Sequence, residues 1–342
     1  MINKRKIGKT NLEVTEISMG TAPIAGWPSP ISSNDAYDTF SKAWELGIRY
    51  FDTAPLYGSG LAEQRLGMFL KSKERSEFTI STKVGRLVID GKSDIKDFFK
   101  SQDPNKDVKF DFSYDGVMKS IEESLKRLQL DSIDIIFLHD PDTKPEHIEI
   151  AKKGAIKAMI KLRDQKVVKA IGAGMNQNEM LVDLANLNCF DCFLLAGRYT
   201  LLDQTSLSKL IPLCKNKNIS LLVGGVFNSG ILIDPSPNSY FDYIKLDSNW
   251  KKNALISPIR KIRAYESSKY WLEKAYKLKA VSEKFNITLK KASIHFPLMN
   301  DIVASTILGM NSNQQVMENI NDYKQAVPNE FWEYIKYSNL IE

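Results

Sequence analysis

Cysteine is scarce: the three among 342 residues cannot build a disulfide framework, and they suit a reducing compartment. Cys189 and Cys192 form a C-x-x-C pair in "CFDC", but no second pair or helix start accompanies it. It runs into the apolar "FDCFLL", so it reads as packing rather than as a redox or zinc motif. Histidine is equally rare, at three, which leaves little for a metal centre beyond the His139, Asp140 and Asp142 of "HDPD". No stretch reaches the roughly 18 apolar residues of a spanning helix. The basic start "MINKRKIGKTNLEV" lacks the apolar centre of a secretory signal, so cytoplasmic residence is expected, with no membrane partner. Charge of one sign is not concentrated either. The 47 basic and 41 acidic residues are spread along the chain, and no basic block carries interleaved aromatics, so no nucleic-acid partner is expected.

What the chain does have is a repeated alternation. Eight short apolar runs stand at 16–20, 49–53, 78–83, 133–139, 168–174, 191–197, 219–225 and 302–309. Continuous rather than alternating, they read as parallel strands covered by helices. Helical spacing falls between them at 34–46, 61–71, 114–128, 149–164, 177–187, 205–217, 265–285 and 313–323, with Ser33 placed to cap the first. Eight alternations predict a (β/α)8 TIM barrel formed by a single domain over 1–342. Two intervals, 84–112 and 226–264, are too long for simple connections. Both follow strand carboxyl ends, where barrel active sites lie, and read as long functional loops. The tail after about residue 324 reads as a cover for one barrel end.

Polar residues collect at those same ends. The second run closes on Asp52 with Tyr57 just beyond, the third on Lys83, the fourth on His139, and the fifth leads to Asn176. Each has an ordinary reading as a cap, a snorkelling lysine or a satisfied histidine, but four consecutive strands delivering proton-active groups form a constellation. A lysine beside a tyrosine stabilises its phenolate and lowers its pKa, an aspartate orients the lysine, and a neutral histidine donates to a substrate oxygen. That set moves a proton at a carbonyl or alcohol oxygen and asks for a hydride carrier to complete a redox reaction. The carrier is not held by a G-x-G-x-x-G turn: "GAGMNQ" lacks the third glycine and follows the fifth strand, not the first.

In order and position, "GIRYFDTAPLYGSGLAEQRLG", "STKVG", "IIFLHDPD" and "GMN" resemble the motifs of the aldo-keto reductases, and the resemblance extends over nearly the whole chain. It implies a catalytic tetrad of Asp52, Tyr57, Lys83 and His139, with Tyr57 as proton donor or acceptor. It further implies cofactor contacts from Gly20, Thr21, Asp52 and Asn176, with Gly225, Phe227 and Ser229 after the seventh strand. Gly309, Gln315, Glu318 and Asn319 would meet the adenine end. More narrowly, "STKVGRLV", "LLAGRYTLLDQ" and "GGVFNSGIL" are similar to the branch holding D-threo-aldose (L-fucose) dehydrogenases and pyridoxal 4-dehydrogenase. This implies oxidation of a hemiacetal hydroxyl to a lactone, at C1 of a sugar or on pyridoxal; general aldehyde reduction is a further alternative. Trp27, Tyr57, Arg86, His139, Asp140 and Tyr199 are the expected pocket for a small-molecule substrate.

The chain departs from the wider family at two places. Gly224 stands where a stacking tyrosine is common and Ala196 where a glutamine is common, which leaves Arg198 or Phe227 to take part of the nicotinamide grip. Gly309 and Gln315 replace the basic pair that meets the 2′-phosphate of NADP in relatives, so NAD is expected over NADP. Two rivals stand beside this reading. A metal-dependent hydrolase would use "HDPD", and a silent nicotinamide-binding subunit would keep the fold without chemistry. The complete tetrad weighs against the second, and no metal is expected.

Overall fold

All eight apolar runs become strands in a computed structural model of the chain, which describes residues 1–95, 98–235 and 258–342, the last from 270 onward for side chains. They are β1 (Ile17–Gly20), β2 (Tyr50–Asp52), β3 (Thr79–Val84), β4 (Ile135–His139), β5 (Ala170–Met175), β6 (Cys192–Ala196), β7 (Ser220–Gly224) and β8 (Val303–Gly309). Every pairing is parallel, and β8 returns to β1 with Thr306 opposite Ile17, closing the barrel. Successive side chains point to opposite faces of a strand. Tyr50, Ile135, Phe137, Leu194, Leu222 and Ile307 therefore share the interior cluster, while Ile80, Ile136, Ile171, Leu195 and Val223 belong to the outer core. Burial on both faces is what makes the runs continuous.

The helices are α1 (Ser33–Glu45), α2 (Leu61–Leu70), α3 (Tyr114–Leu128), α4 (Pro145–Lys153), α5 (Ala155–Asp164), α6 (Asn178–Ala185), α7 (Leu210–Lys217), α8 (Pro258–Lys284), α9 (Leu289–Leu298), α10 (Asn313–Lys324) and α11 (Asn329–Tyr337). Three details correct the sequence expectation. Ser32, not Ser33, caps α1: its backbone is extended and its Oγ accepts from Asp35 N at 3.1 Å, while Ser33 is already helical. The pattern at 149–164 begins earlier, at Pro145, and breaks at Gly154, where any Cβ would lie 2.7 Å from Tyr114 N at the start of α3. The stretch 205–217 divides into a short turn of helix at Thr205–Leu207 and then α7.

The long interval 84–112 is not a plain loop. Arg86–Asp90 and Lys106–Phe110 pair as an antiparallel hairpin, and between them Ile95 and Phe99 pack on Ala25, Ala54, Leu56 and Ala62. Of the second interval, 236–257 lies outside the described residues. A second hairpin, Lys4–Lys6 with Glu13–Thr15, was not expected. Its Ile7, Leu12 and Val14 join the interior cluster, and Gly8 N donates to Ser220 Oγ at the start of β7. It closes the barrel at the strand amino ends, opposite the polar ends. At the C-terminus Phe331 and Trp332 of α11 pack on Phe285 and Phe296, and Glu342 N reaches Gln204 Oε1 in the loop after β6. The tail thus covers α8, α9 and one loop rather than a whole barrel end.

Candidate active site

Tyr57 is aimed by an unusual run of backbone. After β2 ends on Asp52, Gly58, Ser59 and Gly60 all take positive φ (64°, 51° and 90°) and swing the chain into α2. Side chains at the two glycines would collide: a Cβ on Gly58 would lie 2.8 Å from Ala25 Cβ, and one on Gly60 2.6 Å from Arg127 Cδ. Ser59 tolerates the left-handed region while its Oγ donates to Lys106 O at 3.3 Å, tying this loop to the hairpin. Behind α2, the fully buried Glu63 accepts from Thr82 Oγ1 and Arg127 Nε, both at 2.6 Å, which fixes the helix to the strand bearing Lys83.

On β3 the inward residues are Ser81 and Lys83. Lys83 Nζ donates to Asp52 Oδ2 at 2.6 Å and to Thr53 O at 2.8 Å, and sits 4.7 Å from the centre of the Tyr57 ring. Asp52 Oδ1 accepts from Ser81 Oγ at 2.7 Å, and Ser81 Oγ lies 2.9 Å from Tyr50 OH. The imidazole of His139, at the end of β4, stands perpendicular to the Tyr57 ring with centres 6.1 Å apart. Asp52 and Lys83 are each 2% exposed and His139 6%, so their charges interact with little solvent between them, while Tyr57 is partly open.

Burial lowers the His139 pKa well below its usual range, with the charges of Arg86 and Lys83 adding to the effect, so the ring is neutral at physiological pH. For Lys83, burial works against the ammonium, but the Asp52 carboxylate and Tyr57 together outweigh it, and the net shift is upward. Tyr57 corrects a sequence expectation. Lys83 does pull its pKa down, but burial is the larger effect and the phenol stays above its ordinary value. In this state the phenol is a proton donor, and proton acceptance asks for further positive charge beside it.

Arg86 and Asp140 come together in a 3.2 Å ion pair next to His139, whose Nε2 is 3.5 Å from Asp140 Oδ2. Arg86 is 2% exposed and the Asp140 side chain 28%, so the carboxylate is the open member of the pair and the guanidinium lies buried behind it. Trp27 stacks on Phe98 of the hairpin segment, in the cluster that includes Tyr57. Tyr199 is the exception. Its ring packs on Phe296 of α9 and its hydroxyl accepts from Asn300 before β8, so the expected pocket residue is committed to the outer helical layer. Sequence reading took Asp142 only as a ligand of the rival metal site; in the structure its carboxyl is pushed up to about 6 by burial and by the Asp140 charge. It missed Glu63, a carboxylate on the apolar face of α2.

The residues expected to hold a nicotinamide nucleotide follow the carboxyl ends of β1, β5, β7 and β8, on one face of the barrel. Thr21 Oγ1 and His139 Nδ1 are buried without a hydrogen-bond partner among the described residues, polar atoms whose satisfaction asks for a ligand. Asn176 is partly open, with its backbone oxygen held by Arg198 Nε at 3.2 Å. Gly225 and Gly309 are exposed, Phe227 and Ser229 partly so. A Cβ on Gly309 would come 3.0 Å from Pro23 Cγ. Gln315 Oε1 accepts from Asn311 N, and Ser312 caps α10, whose N-terminus suits an anion. Glu318 accepts from Lys290, which Asp322 also engages, and Asn319 is buried. This donor set fits the nucleotide.

No group of three His, Cys, Asp or Glu side chains placed to hold a metal occurs among the described residues. His147 packs on Phe110 and Phe112, and His295 pairs with Asp322 O. The three cysteines are free, with burial raising the pKa of each thiol, which fits packing rather than redox chemistry.

A barrel whose β2, β3 and β4 ends bring an aspartate–lysine pair, a tyrosine and a neutral histidine together defines an oxidoreductase of proton-and-hydride type. The aldo/keto reductase family model matches residues 16–339, and the chain belongs to that family. It is similar to a pyridoxal 4-dehydrogenase of Microbacterium luteolum, at 33% identity over 99% of this chain and 98% of that one. It is also similar to a D-threo-aldose 1-dehydrogenase of a Pseudomonas species, at 32% over 96% and 95%. Among solved structures, a holo aldo-keto reductase from Bacillus halodurans superposes with a TM-score of 0.74 at 22% identity, covering 100% of this chain and 97% of that one, a likeness of fold. As a family member the chain is an enzyme that works with a nicotinamide nucleotide on a small molecule.

Proposed function

We propose that this enzyme oxidises the C1 hydroxyl of an aldose of L-fucose or D-threo type to a lactone, with NAD as cofactor. The observation that carries the chemistry is the buried Lys83–Asp52 pair against the Tyr57 ring, with a neutral His139 across from it. A bound oxidised nicotinamide supplies the hydride acceptor and a positive charge. Tyr57 then takes the hydroxyl proton as C1 gives up its hydride, Lys83 stabilises the phenolate, and His139 donates to the substrate oxygen and fixes it. Thr21 and Asn176 hold the nicotinamide end. Gly309, Gln315, Glu318 and Asn319 hold the adenine end, where Gln315 offers no charge and Lys290 is engaged by two carboxylates, which favours NAD.

Oxidation of pyridoxal to 4-pyridoxolactone is the second reading. It proceeds at a hemiacetal carbon by the same proton and hydride movements, and the relative at 33% identity carries that name. The stacked Trp27 and Phe98 and the open Asp140 suit either ring. Initial rates of NADH formation with L-fucose, D-arabinose and pyridoxal, each with NAD and NADP, test the proposal. Highest kcat/KM for an aldose with NAD is the expected result. Preference for pyridoxal favours the second reading, and no oxidation of any of them overturns both.

A further inference from the structure

Asp52 is a buried carboxylate with two oxygens to satisfy, and the Lys83 ammonium reaches one of them. The other, Oδ1, depends on Ser81. A serine has a single proton, and here it is spent on Asp52, which fixes the direction of the 2.9 Å contact between Ser81 Oγ and Tyr50 OH. Tyr50 must donate and Ser81 accept, because the reverse turns serine lone pairs toward a buried anion. Tyr50 is able to donate at any ordinary pH: burial, then the Asp52 charge, holds its pKa well above the phenol value. It is fully buried beside Ile135, Phe137 and Cys192 in the interior cluster, so no water competes for its proton. Barrel interiors are filled mainly by branched aliphatic side chains, so hydroxyls at two interior positions ask for a reason.

We propose that Tyr50 and Ser81 are positioning residues for Asp52, a one-way chain of hydroxyl donors rising from the barrel interior that orients the carboxylate and offsets its charge beside Tyr57. The donor inventory closes on this arrangement. Lys83 gives one N–H to Asp52 Oδ2 and one to Thr53 O, and the third is left for Tyr57. The charge of Asp52 opposes ionisation of Tyr57, whereas Lys83 favours it. A hydroxyl dipole with its positive end on Oδ1 weakens the opposing charge and leaves the Lys83 field less compensated at the phenol. Removing that dipole makes the phenolate harder to form.

The chain of donors rests on the proposed role of Tyr57, and its test separates the two. Ser81→Ala is expected to move the rising limb of kcat/KM for alcohol oxidation upward by about one pH unit, with kcat at neutral pH down roughly tenfold. NAD affinity stays within about twofold, since neither hydroxyl approaches the nucleotide side of the site. Ser81→Thr, which keeps the hydroxyl, restores the profile. Tyr50→Phe shifts it in the same direction by less, and the double variant equals Ser81→Ala. A Ser81→Ala profile that superposes on the wild-type one overturns the donor chain while leaving the proposed function intact. Full turnover in Tyr57→Phe overturns the proposed function and with it the donor chain. If Ser81→Ala does not fold, Tyr50→Phe decides alone, because it removes one oxygen and keeps the ring; an unshifted limb there overturns the proposal.

Discussion

Replacing Lys83 by methionine removes the positive charge that faces Tyr57 from β3 while keeping the length of the side chain. The ammonium is 4.7 Å from the ring centre. Coulomb's law at an effective dielectric constant of about 20 makes that contact worth about 3.5 kcal/mol to a phenolate, or about 2.5 pKa units. Alcohol oxidation at neutral pH should therefore slow about 300-fold, and its rising pH limb should move up by two to three units, to be read from kcat/KM between pH 6 and 11. Affinity for the nicotinamide nucleotide, followed by fluorescence titration, should be nearly unchanged, since Lys83 is 2% exposed. Stability must fall as well. Asp52 keeps only Ser81, and a buried carboxylate stripped of its partner costs about 3–5 kcal/mol. Pairing the change with Asp52→Asn should recover most of that stability but not the turnover. A Lys83→Met enzyme with wild-type pH dependence would refute the role given to the pair.

Three further changes test other parts of the structure. Asp142 has its carboxyl pushed up to about 6, so between about pH 4 and pH 6 the folded chain binds the extra proton and stability drains away as pH rises. Asp142→Asn should thus melt later than wild type above pH 7, by about 1–3 kcal/mol, and alike below pH 4; a difference independent of pH contradicts the assignment. Gly58→Ala forces a side chain into the left-handed region against Ala25, at a cost of about 2 kcal/mol in denaturant midpoints, with kcat falling because Tyr57 is its neighbour. Gly309→Lys with Gln315→Arg should raise kcat/KM for NADP by about tenfold or more while leaving that for NAD within a few-fold, and an unchanged cofactor ratio counts against the placement of the adenine end.

The barrel was legible because parallel strands buried on both faces must be continuous apolar runs, and all eight runs became strands. Asp52, Lys83 and His139 were legible for a related reason: each is a polar residue ending such a run, and closure brings the ends together. The hairpin strands Lys4–Lys6 and Arg86–Asp90 were not, since three to five residues carry too little periodicity. Tyr199 follows β6 and looked like a pocket residue, but the chain turns at Gly197 (φ 67°) and its ring ends on Phe296. Nor could sequence weigh burial against Lys83 in setting the Tyr57 pKa, because the two oppose each other at one atom. Tyr50 and Ser81 read as ordinary strand residues; their contact exists only through the register that sets Tyr50 opposite Thr79 and Asp52 opposite Ser81 on neighbouring strands.

Tyr57→Phe tests the central claim most directly, with nucleotide affinity and turnover measured on the same preparation. On the proposed mechanism the phenol hydroxyl carries the proton, and the ring is kept, so the variant should bind NAD as the wild type does while kcat falls by about 10²–10⁴ at every pH. Turnover within about threefold of wild type, with binding intact, would contradict the assignment of Tyr57 as the group that moves the proton.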